Sequence, residues 1–318
     1  MKLAYHKQKE LVTFCGIVFN LIYPESIDVD KNIEKNIKTI LKDSYFDIVA
    51  ISWIKDEKIR KEVKKLLDLS HIKVAYIAAF PIYKLGLNLS SIDEIERKNS
   101  VKELEKYIDE ALFLGAKRFL ILSGKDPGVD LREQAKESLI KSIKTLCEYS
   151  KNKSKKDELI IMLEPLDREF EKKFLIGPSE EAKYIADSVK QEYDNFGISI
   201  DYSHILESDE KPLDYINNLK DHIIDVHINN CVIKNEDNPF YGDKHVSFGM
   251  IDSEIDVNEV TEYLKIFRDI GYFSQENFKN EPTVLFEVMV QKNEDPEIIM
   301  SNFQRVFNLA WTRIQIED

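Results

Sequence analysis

Cysteine is scarce in this sequence, and what there is cannot staple it. Of 318 residues only Cys15, Cys147 and Cys231 are cysteine. They are far apart, odd in number and form no CxxC pair, so neither a disulfide framework nor a zinc knuckle is indicated, and a reducing cytoplasm is the expected setting. Glycine is also thin, at ten residues, and no glycine-rich cradle for phosphates is evident. No run rich in serine, glycine and proline interrupts the chain as a linker would. Long apolar runs are missing too: none approaches the ~20 residues that span a bilayer. Leu11 to Tyr23 is mostly apolar, yet His6, Lys7, Lys9 and Glu10 precede it, Asn20 interrupts it and no small-residue cleavage site follows. It reads as a first strand, not as a signal peptide. A positive excess is absent as well. Lysine and arginine number 45 against 58 acids, a net charge of -13. That balance argues against a nucleic-acid partner, whose phosphates are held largely by such residues. The lysines alternate with acids along 55–66 and 97–107, the pattern of solvated helix faces.

What the chain does have is a regular alternation. With 43% hydrophobic and 32% charged residues it can bury a full core as a globular protein. Apolar runs rich in β-branched residues fall near 11–19, 46–54, 73–79, 118–123, 158–164, 197–203, 223–229 and 283–289. Amphipathic stretches follow near 30–42, 56–68, 92–115, 130–152, 179–193, 211–220, 255–270 and 295–315. Val101, Leu104, Tyr107, Ile108, Ala111 and Leu112 repeat at helical spacing and stop at Gly115. Before Ala182, Pro178-Ser179-Glu180-Glu181 predicts a helix start with Ser179 as its N-cap. Eight strand–helix pairs with nearly continuous apolar strands predict a parallel sheet buried on both sides. Eight units close a (β/α)₈ barrel, a TIM barrel, with all of 1–318 as one domain, within the usual roughly 200 to more than 400 residues.

Four metal-seeking side chains each end one of these strand-like runs. Glu164 closes Ile160-Ile161-Met162-Leu163, and Asp201 closes Ile198-Ser199-Ile200. His227 closes Ile223-Ile224-Asp225-Val226, and Glu287 closes Val284-Leu285-Phe286. A parallel barrel gathers the C-terminal ends of its strands on one face, where its active sites lie. Three carboxylates and an imidazole meeting there suit a hard or borderline divalent cation, with Mn, Mg, Co and Zn all admissible. Two long connections, 165–178 and 230–252, lie on the same face and carry no helix or strand pattern of their own, which often marks function.

These residues resemble the xylose-isomerase-like barrel superfamily of sugar isomerases and epimerases, which also includes endonuclease IV. Glu164-Pro165-Leu166-Asp167-Arg168-Glu169 resembles the Glu-x-x-Asn-Arg-x-Glu element of ketose 3-epimerases, with Asp167 where Asn is usual and the last acid one place early. Asp201-Tyr202-Ser203-His204 resembles their Asp-x-x-His element, His227-Ile228-Asn229-Asn230 their seventh-strand histidine, and Phe286-Glu287-Val288 their eighth-strand glutamate. Asp243-Lys244-His245, then Gly249 and Asp252, resembles a loop that usually reads D-x-H…G-x-G…D; here Ser247 stands at the first glycine. The resemblance spans essentially the whole barrel and is most specific from 158 to 290.

The resemblance implies a small-molecule sugar, free or as a sugar phosphate, or a cyclitol as substrate. It also implies one divalent metal held by Glu164, Asp201, His227 and Glu287. A metal beside a carbonyl and its neighbouring hydroxyl stabilises the enediolate left when the α proton is removed. Glu164 and Glu287 are then the acid–base pair on opposite faces of that carbon. His204 and Arg168 would hold substrate oxygens, and Asp243 and His245 would touch substrate, bind a second metal or pin their loop.

Each acid has a plainer rival as a helix cap or lysine partner, and His227 as a satisfied core histidine. The agreement of four strand ends is what outweighs those readings. His6, His71 and His222 fall outside the motifs and read as structural or solvated. Three other functions compete. A lyase of the inosose-dehydratase kind shares the enediolate. A repair phosphodiesterase like endonuclease IV needs extra histidines on strands 3 and 4, where the sequence reads Ala78-Ala79-Phe80-Pro81 and Leu122-Ser123-Gly124-Lys125. The third rival is a non-catalytic sugar- or metal-binding protein. A homo-oligomer is left open.

Overall fold

The computed structural model describes residues 11–154 and 158–316. His6 and the charged residues weighed above against a leader lie outside them. Eight parallel strands close a barrel in chain order, β1 pairing with both β2 and β8. They are β1 (Phe14–Val18), β2 (Ile48–Ile51), β3 (Lys73–Ile77), β4 (Ala116–Ile121), β5 (Ile160–Leu163), β6 (Phe196–Asp201), β7 (Ile223–Ile228) and β8 (Thr283–Phe286). The helices in chain order are α1 (Phe19–Ile22), α2 (Ile33–Lys42), α3 (Glu57–Ser70), α4 (Ala79–Leu85), α5 (Glu94–Leu114), α6 (Arg132–Lys153), α7 (Ser179–Lys190), α8 (Tyr202–Glu207), α9 (Pro212–Leu219), α10 (Val257–Asp269) and α11 (Pro296–Ile316). This is the (β/α)₈ architecture expected from the alternation.

Local chemistry sets the helix ends. Asp56 caps α3 by accepting from Lys58 and Ile59 N–H, and Asp93 caps α5 from Ile95 and Glu96 N–H. Gly115 ends α5 with φ of 91°, a left-handed conformation that a Cβ would disfavour. Asp256 and Glu259 form a reciprocal capping box at α10. On the outer layer α11 lays Phe303 and Phe307 on Phe286 of β8, with ring centroids 4.6 and 5.4 Å apart.

Two expectations are corrected in detail. Leu11 to Tyr23 is not one strand: β1 stops at Val18, and Phe19–Ile22 turn into α1, where Asn20 accepts from Ser52 N–H and donates to Ser26. A buried amide that joins the ends of β1 and β2 is better served by a helical turn than by an extended chain. Nor is Ser179 the N-cap of α7. Pro178 holds that position, and Ser179, the first helical residue, spends its hydroxyl and N–H on Glu210, at 2.7 and 2.9 Å.

The barrel interior is tight at the β1 position of Gly16. A Cβ there would meet Leu285 Cδ2 of β8 and approach Ile48 Cβ of β2 to 2.9 Å. Gly16→Ala is therefore expected to lower the unfolding free energy by about 1–3 kcal/mol, the usual cost of overpacking a core. A lower urea midpoint at unchanged slope reads this out; an unchanged midpoint refutes the packing argument.

Candidate active site

The four strand-end residues converge. Asp201 is the last residue of β6 and lies in register with His227 of β7. Glu164 follows β5 directly, its N–H bonded to Ile121 carbonyl at 3.1 Å, and Glu287 follows β8, its N–H bonded to Ile228 carbonyl at 3.0 Å. One ligand-capable atom from each of Glu164, Asp201, His227 and Glu287 lies within 4.8 Å of the others. The group is thoroughly buried, from His227 at 0% to Glu287 at 6% exposed.

His227 organises this cage. Its Nδ1 stands 3.1 Å from Glu164 Oε1 and 3.1 Å from Glu287 Oε1. Its Nε2 points down the barrel to Asp225 Oδ2 at 3.3 Å and Ser199 Oγ at 3.2 Å. Asp225, on the same strand two residues earlier, faces the same interior and also accepts from the Thr283 hydroxyl. A carboxylate on the far ring nitrogen fixes ring orientation and tautomer, the arrangement that metal-binding histidines use. Asp201 caps α8: its Oδ1 accepts from Ser203 N–H at 2.9 Å, Ser203 Oγ at 2.9 Å and His204 N–H at 3.3 Å. Its other oxygen, Oδ2, is buried with no hydrogen-bond partner. Unpaired buried carboxylate oxygen is costly, and a cation in the cage would satisfy it. Three oxygens and one nitrogen at these separations fit a cation whose ligands stand about 2.0–2.2 Å away.

The two glutamates have opposite proton affinities. Burial, reinforced by the charge of Glu287, raises the Glu164 carboxyl above its usual range. Burial pushes Glu287 the same way, but the imidazolium of His227 and its hydrogen bond outweigh this, so Glu287 is held below the usual range. The His227 imidazole is pushed above its usual range: desolvation opposes its charge, and the charge of Glu287 and the hydrogen bonds to Asp225, Glu164 and Glu287 overcome that cost.

The remaining expected residues divide. His204, Asp243 and His245 cluster beside the cage. His204 Nδ1 lies 3.1 Å from Glu207 Oε2, and His245 Nε2 lies 3.5 Å from Asp243 Oδ1 and 4.0 Å from Glu287 Oε2. Asn229 Nδ2 meets His245 Nδ1 at 2.6 Å, and His245 keeps a left-handed φ of 48°, uncommon away from glycine and frequent where a site imposes its geometry. Arg168 is not brought to this group. Its guanidinium donates to Leu175 carbonyl at 2.6 Å and pairs with Glu181 of α7, stapling its own loop to the outer layer. His71 is the exposed, left-handed C-cap of α3, and His222 pairs with Asp187 at 2.9 Å, both away from the cage.

Sequence reasoning missed several participants. Glu207 stands one helical turn after His204, a spacing that faces it the same way. Asp225, at i−2 from His227, was signalled by strand alternation. Asp167 was seen only as a motif letter, yet it accepts from Glu171 N–H at 2.7 Å and Lys172 N–H at 2.6 Å and so shapes the loop after β5. Glu171 then bridges to the loop after β7, accepting from Asp243 N–H at 2.6 Å and Lys244 Nζ at 2.5 Å. Phe170 meets Tyr241 edge-on at 5.3 Å across the same junction. Nothing in the local sequence announces pairings 72 residues apart.

A cavity of about 830 Å³ opens at the opposite end, past the strand starts Ile160, Phe196 and Ile223. Among the described residues no metal-capable cluster lies there. In such barrels that end serves stability and the other end chemistry.

Three comparisons bear on this geometry. The family model for the xylose isomerase-like TIM barrel matches residues 19–290. No curated protein sequence matches the chain. Among solved structures the fold is similar to a D-tagatose 3-epimerase-like protein (TM-score 0.67, 18% identity, covering 95% of this chain and 100% of that one). It is also similar to an L-ribulose 3-epimerase (0.66, 16%, 96% and 96%) and to 3-keto-D-glucoside 4-epimerase from E. coli (0.65, 14%, 93% and 100%). At these identities the likeness is one of fold. No helix among the described residues is long and apolar enough to cross a membrane.

The site carries a pH signature of its own. Burial, with the charge of Asp243 added and His204 pulling the other way, lifts the Glu207 carboxyl from 4.5 to about 7. A folded-state value above the unfolded one means that the native chain binds the extra proton. The associated stability is complete below about 4.5 and lost as pH rises through about 7. Glu207→Gln removes that loss. In chelator-treated protein its Tm should gain on wild type as pH is raised from about 5 to about 8. A Tm difference flat across that window refutes the assignment.

Proposed function

The chain belongs to the xylose isomerase-like TIM barrel family, and on that premise we propose that it is a metal-dependent sugar isomerase or epimerase, the whole chain working as one domain. One observation carries this reading: the carboxylates of Glu164 and Glu287 approach the same His227 nitrogen from two strands, each at 3.1 Å, with Asp201 beside them. The epimerases of like fold support it.

In this reading Glu164, Asp201, His227 and Glu287 hold one divalent ion, Mn, Mg, Co or Zn. When bound, the ion supplies Lewis-acid support for negative charge developing on substrate oxygens. The chain's own residues do the rest. Glu164 and Glu287 form the acid–base pair: one takes the proton from carbon beside the substrate carbonyl and the other returns one from the other face. Return to the same carbon inverts it, and return to its neighbour isomerises the sugar. His204 and His245, at the mouth, hold substrate hydroxyls. Asp225 keeps His227 oriented with Nδ1 toward the cage. Burial of all four ligands keeps water from competing for the exchanged proton.

The metal part is checked by binding alone. His227→Ala is expected to abolish stoichiometric Mn²⁺ uptake and turnover together, and Asp225→Asn to weaken Mn²⁺ binding by about 10–100-fold, the usual cost of losing a carboxylate behind a ligating imidazole. Full metal occupancy in His227→Ala ends the ligand assignment.

The chemical part is checked by isotope exchange. Metal-loaded enzyme offered a panel of ketoses, aldoses and cyclitols in D₂O should place deuterium beside the carbonyl of its substrate. Glu164→Gln and Glu287→Gln should each cost about 10²-fold or more in rate, the scale of a lost positioned acid or base, with metal occupancy measured on both. No exchange into any member of the panel refutes enediolate chemistry.

A further inference from the structure

Beside the cage lies a second cluster. His204, Glu207 and Asp243 are buried, and one ligand-capable atom from each lies within 4.8 Å of the others. Glu207 Oε1 is buried there with no hydrogen-bond partner. Two acids and an imidazole in this arrangement are a ligand set for a second divalent ion. Yet a cation is already in place. Lys172 reaches in from the loop after β5, its Nζ 2.9 Å from Asp243 Oδ2 and 3.4 Å from Asp243 carbonyl oxygen. We propose that Lys172 is the resident cation of this second cluster, closing it to a divalent ion and fixing the barrel at one metal.

Three observations carry the inference. The first is the backbone: Lys172 N–H is held by Asp167 at 2.6 Å, and Asp243 N–H by Glu171 at 2.6 Å. Both backbones are therefore held, and only the lysine's own rotamers remain for the ion pair to order. The second is charge. Lys172 sets a positive charge against Asp243, a carboxylate only 4% exposed, so that acid is answered without a metal. The third is the chemistry of the group. An ammonium is a compact point charge with donors and no lone pair while protonated. It neutralises Asp243 and takes up Oδ2, which weakens the cluster as a ligand set for a divalent ion. A loop residue thus sets metal stoichiometry without being a ligand.

The inference rests on the metal reading above for the first site, but its test is a difference and stands apart from it. Mn²⁺ is titrated into wild type, Lys172→Met and Lys172→Arg at fixed pH, counting bound ions from the EPR signal of the free ion. Lys172→Met removes the charge at similar length and should bind one more Mn²⁺ per chain than wild type. Lys172→Arg keeps the charge and should bind the wild-type number. Adding Asp243→Asn to Lys172→Met should remove the gained ion. Equal counts in wild type and folded Lys172→Met overturn the inference, as do two ions per chain in wild type. Circular dichroism establishes folding; if Lys172→Met does not fold, Lys172→Gln replaces it, and the wild-type count of one against two still decides. A wild type that binds none ends the metal reading of the cage, while the difference between the chains continues to test Lys172.

Discussion

Buried negative charge at the mouth of the barrel dictates the arrangement of everything near it. Glu164, Asp201 and Glu287 share one small volume, Asp225 lies beneath them, and Glu207 and Asp243 stand alongside, all largely withdrawn from water. Isolated charges so placed would protonate or unfold the site. Each is instead answered locally. The N-terminus of α8 donates two backbone N–H groups to Asp201, Thr283 donates to Asp225, His227 lies between Glu164 and Glu287, and Lys172 faces Asp243. What lacks a hydrogen bond is local as well: Asp201 Oδ2, Glu207 Oε1 and the carboxylate oxygens of Asp243, which has the ion pair to Lys172.

Such a centre is only as exact as the loops around it. The connections 165–178 and 230–252 are long, yet neither is loose. Asp167 folds the first by accepting from two backbone N–H groups, and Phe174 N–H returns to the Asp167 carbonyl at 2.9 Å. Asn230 folds the second, donating to Ser247 and Ser253 and accepting from Cys231 and Ile255. Glu171 joins the two. A Cβ at Gly242 would strike the Glu171 carboxylate, so this glycine, with φ of 106°, is demanded both by the turn and by the close approach. Positioning of this kind is what catalysis by orientation depends on.

The barrel and its cage were legible because both follow from short-range rules. Strand and helix periodicity marks the eight units, and in a parallel barrel the strand ends must meet, so Glu164, Asp201, His227 and Glu287 could be brought together from sequence order alone. Legibility ended where contacts depend on long-range loop geometry. Arg168 sits inside the best motif, but the path of its loop turns it to Leu175 and Glu181. Lys172 reads as one more solvated lysine in a charged run, and only the fold reveals Asp243 opposite it. Ser179 was misplaced by a single residue because Glu210, 31 positions away, competes for its hydroxyl. Local preference proposes a cap, and a distant carboxylate overrules it.

Identical side chains acquire different roles here through position alone. Glu164 and Glu287 are equidistant from His227 Nδ1, at 3.1 Å each. What lies behind each differs: His245 approaches Glu287 to 4.0 Å, while Glu164 has burial and the charge of its twin to contend with. His245 is delivered by the loop after β7, pinned by Asn229 and by Met289 N–H on its carbonyl at 2.7 Å. A loop therefore places an imidazole beside one of the two glutamates, although neither belongs to it. The fold supplies the ring of strand ends and is indifferent to the reaction performed there. A barrel of the same shape with a different loop after β7 would bring the same four strand-end residues together and surround them differently.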